Sequence, residues 1–272
     1  MRKAKFVFIV LFLMANFYGI LTGGLYFFQE NLIFHPTPLA QDYEYKFDSL
    51  FEEITLDAKD GACLNALYFK NANPKGTMLY FHGNAGDLSR WGELVQYFVQ
   101  KELNVIVMDY RNFGKSTGTL SENNLYEDAE LFYAFAKAES QQNNTPLYIY
   151  GRSLGTTFAS FVASRKECKH LILETPFYSV EDEAKSRFPL LPVKRLLKYR
   201  FPTYEYINKV GAPITIIHGT ADEVVAYAHG KRLFDSIQLA EKEFITVPNG
   251  GHNNLIQFSE FHTAIDSIFS IK

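Results

Sequence analysis

Cysteine is scarce in this chain. Cys63 and Cys168 are the only two, and they leave no C-x-x-C and no cluster with metal-ligand spacing. Neither a disulfide framework nor a metal centre is therefore expected to organise the fold. Both lie in apolar stretches and read as buried free thiols; pairing in an oxidising compartment is the open alternative. Basic runs are missing as well. A net charge of −3 without a block of lysines or arginines speaks against nucleic acid as a partner. No internal repeat or low-complexity tract occurs. Charge is also absent from one long stretch, Phe6 through Phe28, where Asn16 and Thr22 are the main polar residues. As a helix this run spans about 35 Å, enough to cross a hydrocarbon core of ~30 Å.

Arg2, Lys3 and Lys5 precede that run, and Glu30, Asp42, Glu44 and Asp48 follow it against Lys46 alone. The positive-inside rule puts the N-terminus in the cytoplasm and the rest of the chain across the membrane, in the periplasm if the source is bacterial. A cleaved signal peptide is the competing reading, with Thr22 and Gly24 as weak cleavage-site residues. The run exceeds the ~7–15 residues of a typical signal core, which favours an uncleaved anchor over residues 1–28. Tyr26, Phe27 and Phe28 suit an interfacial belt. Residues 29–48, with turn formers around Pro36 and Pro38, read as a stalk, and 49–272 as one domain.

Within that domain, Phe51–Leu56 and Cys63–Phe69 read as strands joined at Asp60-Gly61, a hairpin signal. Apolar runs at Thr77–His82, Asn104–Asp109, Pro146–Tyr150, His170–Leu173 and Pro213–His218 alternate with stretches of helical spacing. A strand at Glu243–Val247 and a helix to Ile268 close the chain. Strands apolar throughout, alternating with helices, predict a mostly parallel sheet covered on both faces. Right-handed crossovers then collect the loops after the strands along one rim, where α/β proteins bind ligands.

One such loop follows Leu147–Tyr150: Gly151-Arg152-Ser153-Leu154-Gly155, with small and apolar residues after it. Strand, G-x-S-x-G and helix together form the context of a nucleophile elbow, where the glycines permit close strand–helix approach. A serine hydroxyl needs a base within reach, and the base needs an orienting carboxylate. His252, behind Gly250-Gly251, and Asp222, after the strand Ile214–His218, supply them in the order Ser, acid, His that this architecture uses. Glu174 is the alternative acid. Asp109, beside Arg111, reads as part of a salt-bridged loop; His82 and His218 read as structural neighbours of the site. His35, His170, His229 and His262 read as surface or core residues. For the developing oxyanion, the donors expected are the backbone N–H groups of Leu154 and Asn84. No cofactor or metal is required.

Taken together, these stretches resemble the α/β-hydrolases. They are Tyr80-Phe81-His82-Gly83-Asn84-Ala85-Gly86, Asp109-Tyr110-Arg111-Asn112-Phe113-Gly114-Lys115-Ser116, the elbow, His218 through Val225, and Gly250-Gly251-His252-Asn253. With Phe28 through Pro36, the pattern is most similar to the membrane-anchored branch of that family, itself similar to serine aminopeptidase-like hydrolases. Two positions depart from it. Asn112 stands where glycine is usual, which a positive φ tolerates, and Ala226 stands where proline usually follows Asp-Glu-Val-Val. The resemblance implies an α/β-hydrolase fold and acyl transfer to water. An ester, thioester or lipid substrate is expected. A peptidase or amidase, and a non-catalytic scaffold, remain alternatives, and the peptidase would need a carboxylate clamp such as Glu174, Glu181 or Asp182. The Pro-rich insertion of about 175–209 reads as a cap whose leucines pack on the core; the alternative is that Pro189–Lys198, which mixes apolar and basic residues, forms an interfacial patch turned toward anionic lipid. The oligomeric state is not legible.

Overall fold

The computed structural model describes residues 2–269. Helix α1 (Arg2–Ile33) contains the charge-free run and is long and apolar enough to cross a membrane. A short strand β1 (His35–Pro36) follows. The hairpin β2 (Phe51–Asp57) and β3 (Cys63–Phe69) pairs Asp57 with Cys63 across a turn in which Gly61 takes φ +85°. Next come β4 (Gly76–Phe81), β5 (Ala85–Gly86), α2 (Leu88–Val99) and β6 (Leu103–Met108). Asp87 caps α2 by accepting from the Ser89 N–H. Then α3 (Glu122–Gln142), β7 (Leu147–Arg152), α4 (Gly155–Ala163) and β8 (His170–Glu174) lead into the cap: α5 (Val180–Arg187), α6 (Val193–Leu196) and α7 (Thr203–Ile207). The chain finishes with β9 (Ile214–Gly219), α8 (Tyr227–Ser236), β10 (Lys242–Val247) and α9 (Ser259–Phe269).

Among the described residues, eight strands form one sheet in the order β10-β9-β8-β7-β4-β6-β3-β2, and within it β3 alone runs against the others. Side chains alternate between its faces. Leu79, Phe81 and Ile149 join the layer under α3 and α4, with Phe132 and Phe158. Met78, Tyr80 and Tyr150 join the layer under α2 and α9, with Trp91, Phe98 and Phe261. Each such side chain contributes about 1.5–3 kcal/mol by leaving water. From β4 the chain first adds β6 on one side and later β7 on the other. The C-terminal ends of β4 and β7 thus flank the switch point, where a crevice opens.

Three expectations change here. The segment read as a stalk is fastened to the domain. Helix α1 runs on to Ile33, His35–Pro36 pairs with Ala85–Gly86, and Leu39 donates to the Gly114 carbonyl at 2.9 Å. Phe34 and Tyr45 are buried, and the Tyr45 hydroxyl donates to Asn65 at 3.0 Å, so these aromatic rings have surface to leave water against. Cys63 and Cys168 are free, but Cys63 is exposed at the first position of β3 and Cys168 is half-buried. Burial pushes the Cys168 thiol up to about 12. Lastly, Arg111 does not pair with Asp109. Its guanidinium grips Asp128 at 2.7 and 2.9 Å and also reaches Asp60. Asp109 faces His82 instead, with Nε2 3.3 Å from its carboxylate; burial pushes that carboxyl up and the imidazole opposes the shift.

Candidate active site

Ser153 stands between β7 and α4 at φ +51°, a left-handed conformation that a serine adopts only when its surroundings impose it. Steric crowding accounts for both flanking glycines. A Cβ on Gly151 would sit 2.5 Å from the Gly155 carbonyl oxygen and 2.7 Å from the Ala159 side chain, and one on Gly155 would strike the Phe81 carbonyl. Strand β4 therefore lies directly against the turn. The elbow is held from the other side by the Ser153 N–H, which donates to the Glu174 carbonyl at 2.9 Å.

The three residues read from separate loops meet. His252 Nε2 is 3.0 Å from Ser153 Oγ, and His252 Nδ1 is 2.8 Å from Asp222 Oδ2. Asp222 Oδ1 accepts from the Val224 and Val225 N–H groups at 2.9 and 2.8 Å, which fixes the carboxylate in its loop. Burial pushes the Asp222 carboxyl up. The hydrogen bonds from His218 and His252, the His252 charge and the Val225 N–H outweigh burial and hold it well below the usual carboxylate range. His218, buried at the end of β9, approaches Asp222 Oδ2 to 3.3 Å and donates its Nε2–H to the Val225 carbonyl at 3.0 Å. It is thus a second neighbour of the carboxylate.

Asn84 and Leu154 line the same cavity as Ser153. Among the described residues neither backbone N–H donates to a protein acceptor. The Asn84 carbonyl accepts from His35, and its side-chain amide donates to the Ile33 carbonyl at 2.8 Å, so the exit of α1 sets this loop. The cavity, about 390 Å³, is lined mainly by apolar side chains, including Phe177, Leu191 and Val225. Its volume falls within the ~300–1,000 Å³ of small-molecule sites. Among the described residues no group of three or more His, Cys, Asp and Glu side chains is placed to hold a metal ion.

The comparisons with known proteins agree on the framework. A family model described as serine aminopeptidase, S33, matches residues 72–206. An uncharacterised protein of Mycobacterium tuberculosis is 30% identical over 204 residues, 74% of this chain and 72% of that one. The chain belongs to the α/β-hydrolase superfamily. Alpha/beta hydrolase domain-containing protein 17C of Xenopus tropicalis is 31% identical over 206 residues, 74% of this chain and 64% of its own length. A solved esterase of Pyrococcus furiosus shares the fold with a TM-score of 0.70 at 17% identity, over 87% of this chain and 98% of the esterase.

One residue of this hydrolase's site escaped the sequence reading. Arg152, 6% exposed, donates to the His252 carbonyl and to Asn253 Oδ1, both at 3.1 Å. Its Nε lies 3.4 Å from Glu174, and its guanidinium packs over the Trp91 ring. Glu174 also accepts from the Tyr150 hydroxyl at 2.6 Å. The alternative acid is therefore committed to Arg152 and Tyr150, not to His252. The usable signal was the pairing of Arg152 with Glu174 in adjacent strands, which needs the register to be seen. The other carboxylates offered as a peptide clamp are engaged too: Glu181 with Lys185 and Arg200, Asp182 with Arg232.

Proposed function

We propose that this chain is a serine hydrolase that cleaves carboxylic ester or thioester bonds through Ser153, His252 and Asp222 by way of an acyl-enzyme. The observation that carries the reading is the unbroken chain of contacts from Ser153 Oγ through His252 to Asp222, at 3.0 and 2.8 Å, at the wall of an apolar cavity. Asp222 accepts the Nδ1–H of His252 and so turns the Nε2 lone pair toward the serine hydroxyl. His252 takes that proton as Oγ attacks the acyl carbonyl. The N–H groups of Leu154 and Asn84 receive the oxyanion, each worth roughly 3–4 kcal/mol of barrier. The protonated imidazole passes its proton to the leaving alcohol or thiol, and water activated by the same ring releases the acid.

The amidase reading draws support from the name of the matching family model, but the cavity offers it little. Among the described residues Glu183 is the one carboxylate lining the cavity, and it pairs with His229 at 2.9 Å. We further propose that residues 1–28 act as an uncleaved signal anchor with the N-terminus in the cytoplasm, carrying a catalytic domain of 49–272 on the far side. Labelling with a fluorophosphonate probe tests the chemistry: the wild type is expected to label and Ser153→Ala to remain unlabelled. Equal labelling of the two chains overturns the assignment.

A further inference from the structure

The membrane-length helix and the catalytic cavity share residues. Leu25 lies inside the charge-free run, and Leu25, Gln29 and Leu32 line the same cavity as Ser153 and Leu154. Their i, i+4, i+7 spacing puts them on one face of α1. The rotation of the helix is fixed by Gln29, which is 5% exposed in spite of its polar side chain. Its Nε2 donates to the Leu196 carbonyl at 3.1 Å, and its Oε1 accepts from the Lys198 N–H at 2.7 Å. At the next residue, the Tyr199 hydroxyl donates to Glu30 at 2.9 Å. A buried amide satisfied at both ends does not turn without leaving cap backbone groups unpaired.

The cap also follows α1 into the level of the span. The Tyr18 hydroxyl donates to the Leu190 carbonyl at 3.3 Å, and Tyr18 lies about 10 Å along the helix before Leu25. Leu190 is 87% exposed and Phe188 39% exposed on this loop. Lys198 Nζ sits 4.9 Å from the Tyr26 ring, the pairing of cation and aromatic that marks a water–lipid boundary. An exposed apolar loop beside a membrane-length helix is the kind of surface that lipid covers.

Building on the ester-hydrolase reading, we infer that this cavity is an acyl pocket walled on one side by α1, and that it takes the fatty acyl chain of a lipid ester. The chain enters from the bilayer between α1 and the Phe188–Leu191 loop and stays in apolar surroundings, saving roughly 0.8 kcal/mol for each methylene kept from water. At Ser153 the Oγ–acyl bond forms and the ester C–O bond breaks. The serine proton travels through His252 to the leaving alcohol; water then gives its hydroxyl to the acyl carbon and its proton to His252, the Oγ–acyl bond breaks, and His252 returns the proton to Ser153 Oγ. Helix α1 is thereby part of the enzyme, beyond its use as a tether.

The test uses the full chain in phosphatidylcholine vesicles, with 4-nitrophenyl palmitate and butyrate as probes. Leu25→Trp and Leu32→Trp narrow the wall. Phe27→Trp, on a side chain 73% exposed and off the cavity, is the control. The palmitate-to-butyrate ratio of kcat/KM is expected to fall at least about tenfold in the first two and to stay constant in the control. An unchanged ratio in enzyme that still turns over butyrate overturns the pocket wall and leaves the ester reading standing. A wild type that neither hydrolyses butyrate nor labels with fluorophosphonate overturns that reading, and the pocket with it. Should a tryptophan variant misfold, Leu25→Ala widens the same wall and shifts the preferred chain to greater length; an unshifted preference contradicts the proposal. Faster turnover of a soluble S-palmitoylated peptide than of a vesicle-borne monoacyl lipid would overturn the lipid as the source of the chain.

Discussion

Asp222 meets the His252 ring and Arg152 its backbone carbonyl, and in the proposed mechanism their replacement separates two kinds of control. In the proposed mechanism Asp222 holds the Nδ1–H tautomer of His252 through the 2.8 Å contact. Asp222→Asn presents the wrong partner to that nitrogen and is expected to lower kcat by about 10⁴ while the fold persists, measured on a soluble ester. Arg152 never meets the reacting atoms; it anchors the His252 carbonyl and Asn253, with Glu174 fixing the guanidinium. It is a positioning residue. Arg152→Met frees the loop, and a displacement of about 1 Å costs on the order of 10²-fold in kcat. The loss should fall on kcat with KM little changed, because the cavity walls remain in place. A KM-only effect would contradict this role.

At the scale of elements, the loop from β9 to α8 carries Asp222, and its departure from the family pattern is testable. Ala226 has φ −55°, within proline's range, and among the described residues its N–H donates to no protein acceptor. Ala226→Pro is therefore expected to raise unfolding stability by about 0.4–1 kcal/mol, read by chemical denaturation, with activity retained. Asn112 meets its own departure as anticipated, at φ +66°. The elbow, the hairpin and the strand–helix alternation were legible because each is a local pattern: Gly151 and Gly155 bracket Ser153, and Asp60-Gly61 separates two strand-like stretches. What escaped depends on register or on contacts between distant segments. Arg152 meets Glu174 only once β7 and β8 are aligned. Asp109 meets His82 because β4 and β6 end side by side. Gln29, read as the start of a stalk, takes its partners from Leu196 and Lys198.

For the whole molecule, acid stability reports on the sheet interior. His170 at the start of β8 meets Thr215 at 2.9 Å, and burial, with Lys169 nearby, lowers its pKa from 6.5 to about 4. Between those values the unfolded chain binds the proton and the folded chain does not. Its contribution is fully present above pH 6.5 and is lost as pH falls toward 4, by about 2–3 kcal/mol. His170→Gln should flatten that part of the stability–pH curve. The anchor is tested as a structural element by two truncations. A chain starting at residue 25 keeps the Gln29 clamp, whereas one starting at residue 34 leaves Leu196 O and Lys198 N without it. The shorter chain should be less stable by about 1–3 kcal/mol, seen as a lower Tm; equal Tm values would mean that α1 contributes nothing to the domain. In the proposed reaction Ser153 Oγ is the atom that carries the acyl group. Acid-quenched enzyme caught during turnover of a slow ester should show, by mass spectrometry, one acyl increment on the peptide containing Ser153. Turnover that proceeds with no increment there, or with the increment on another residue, would contradict it.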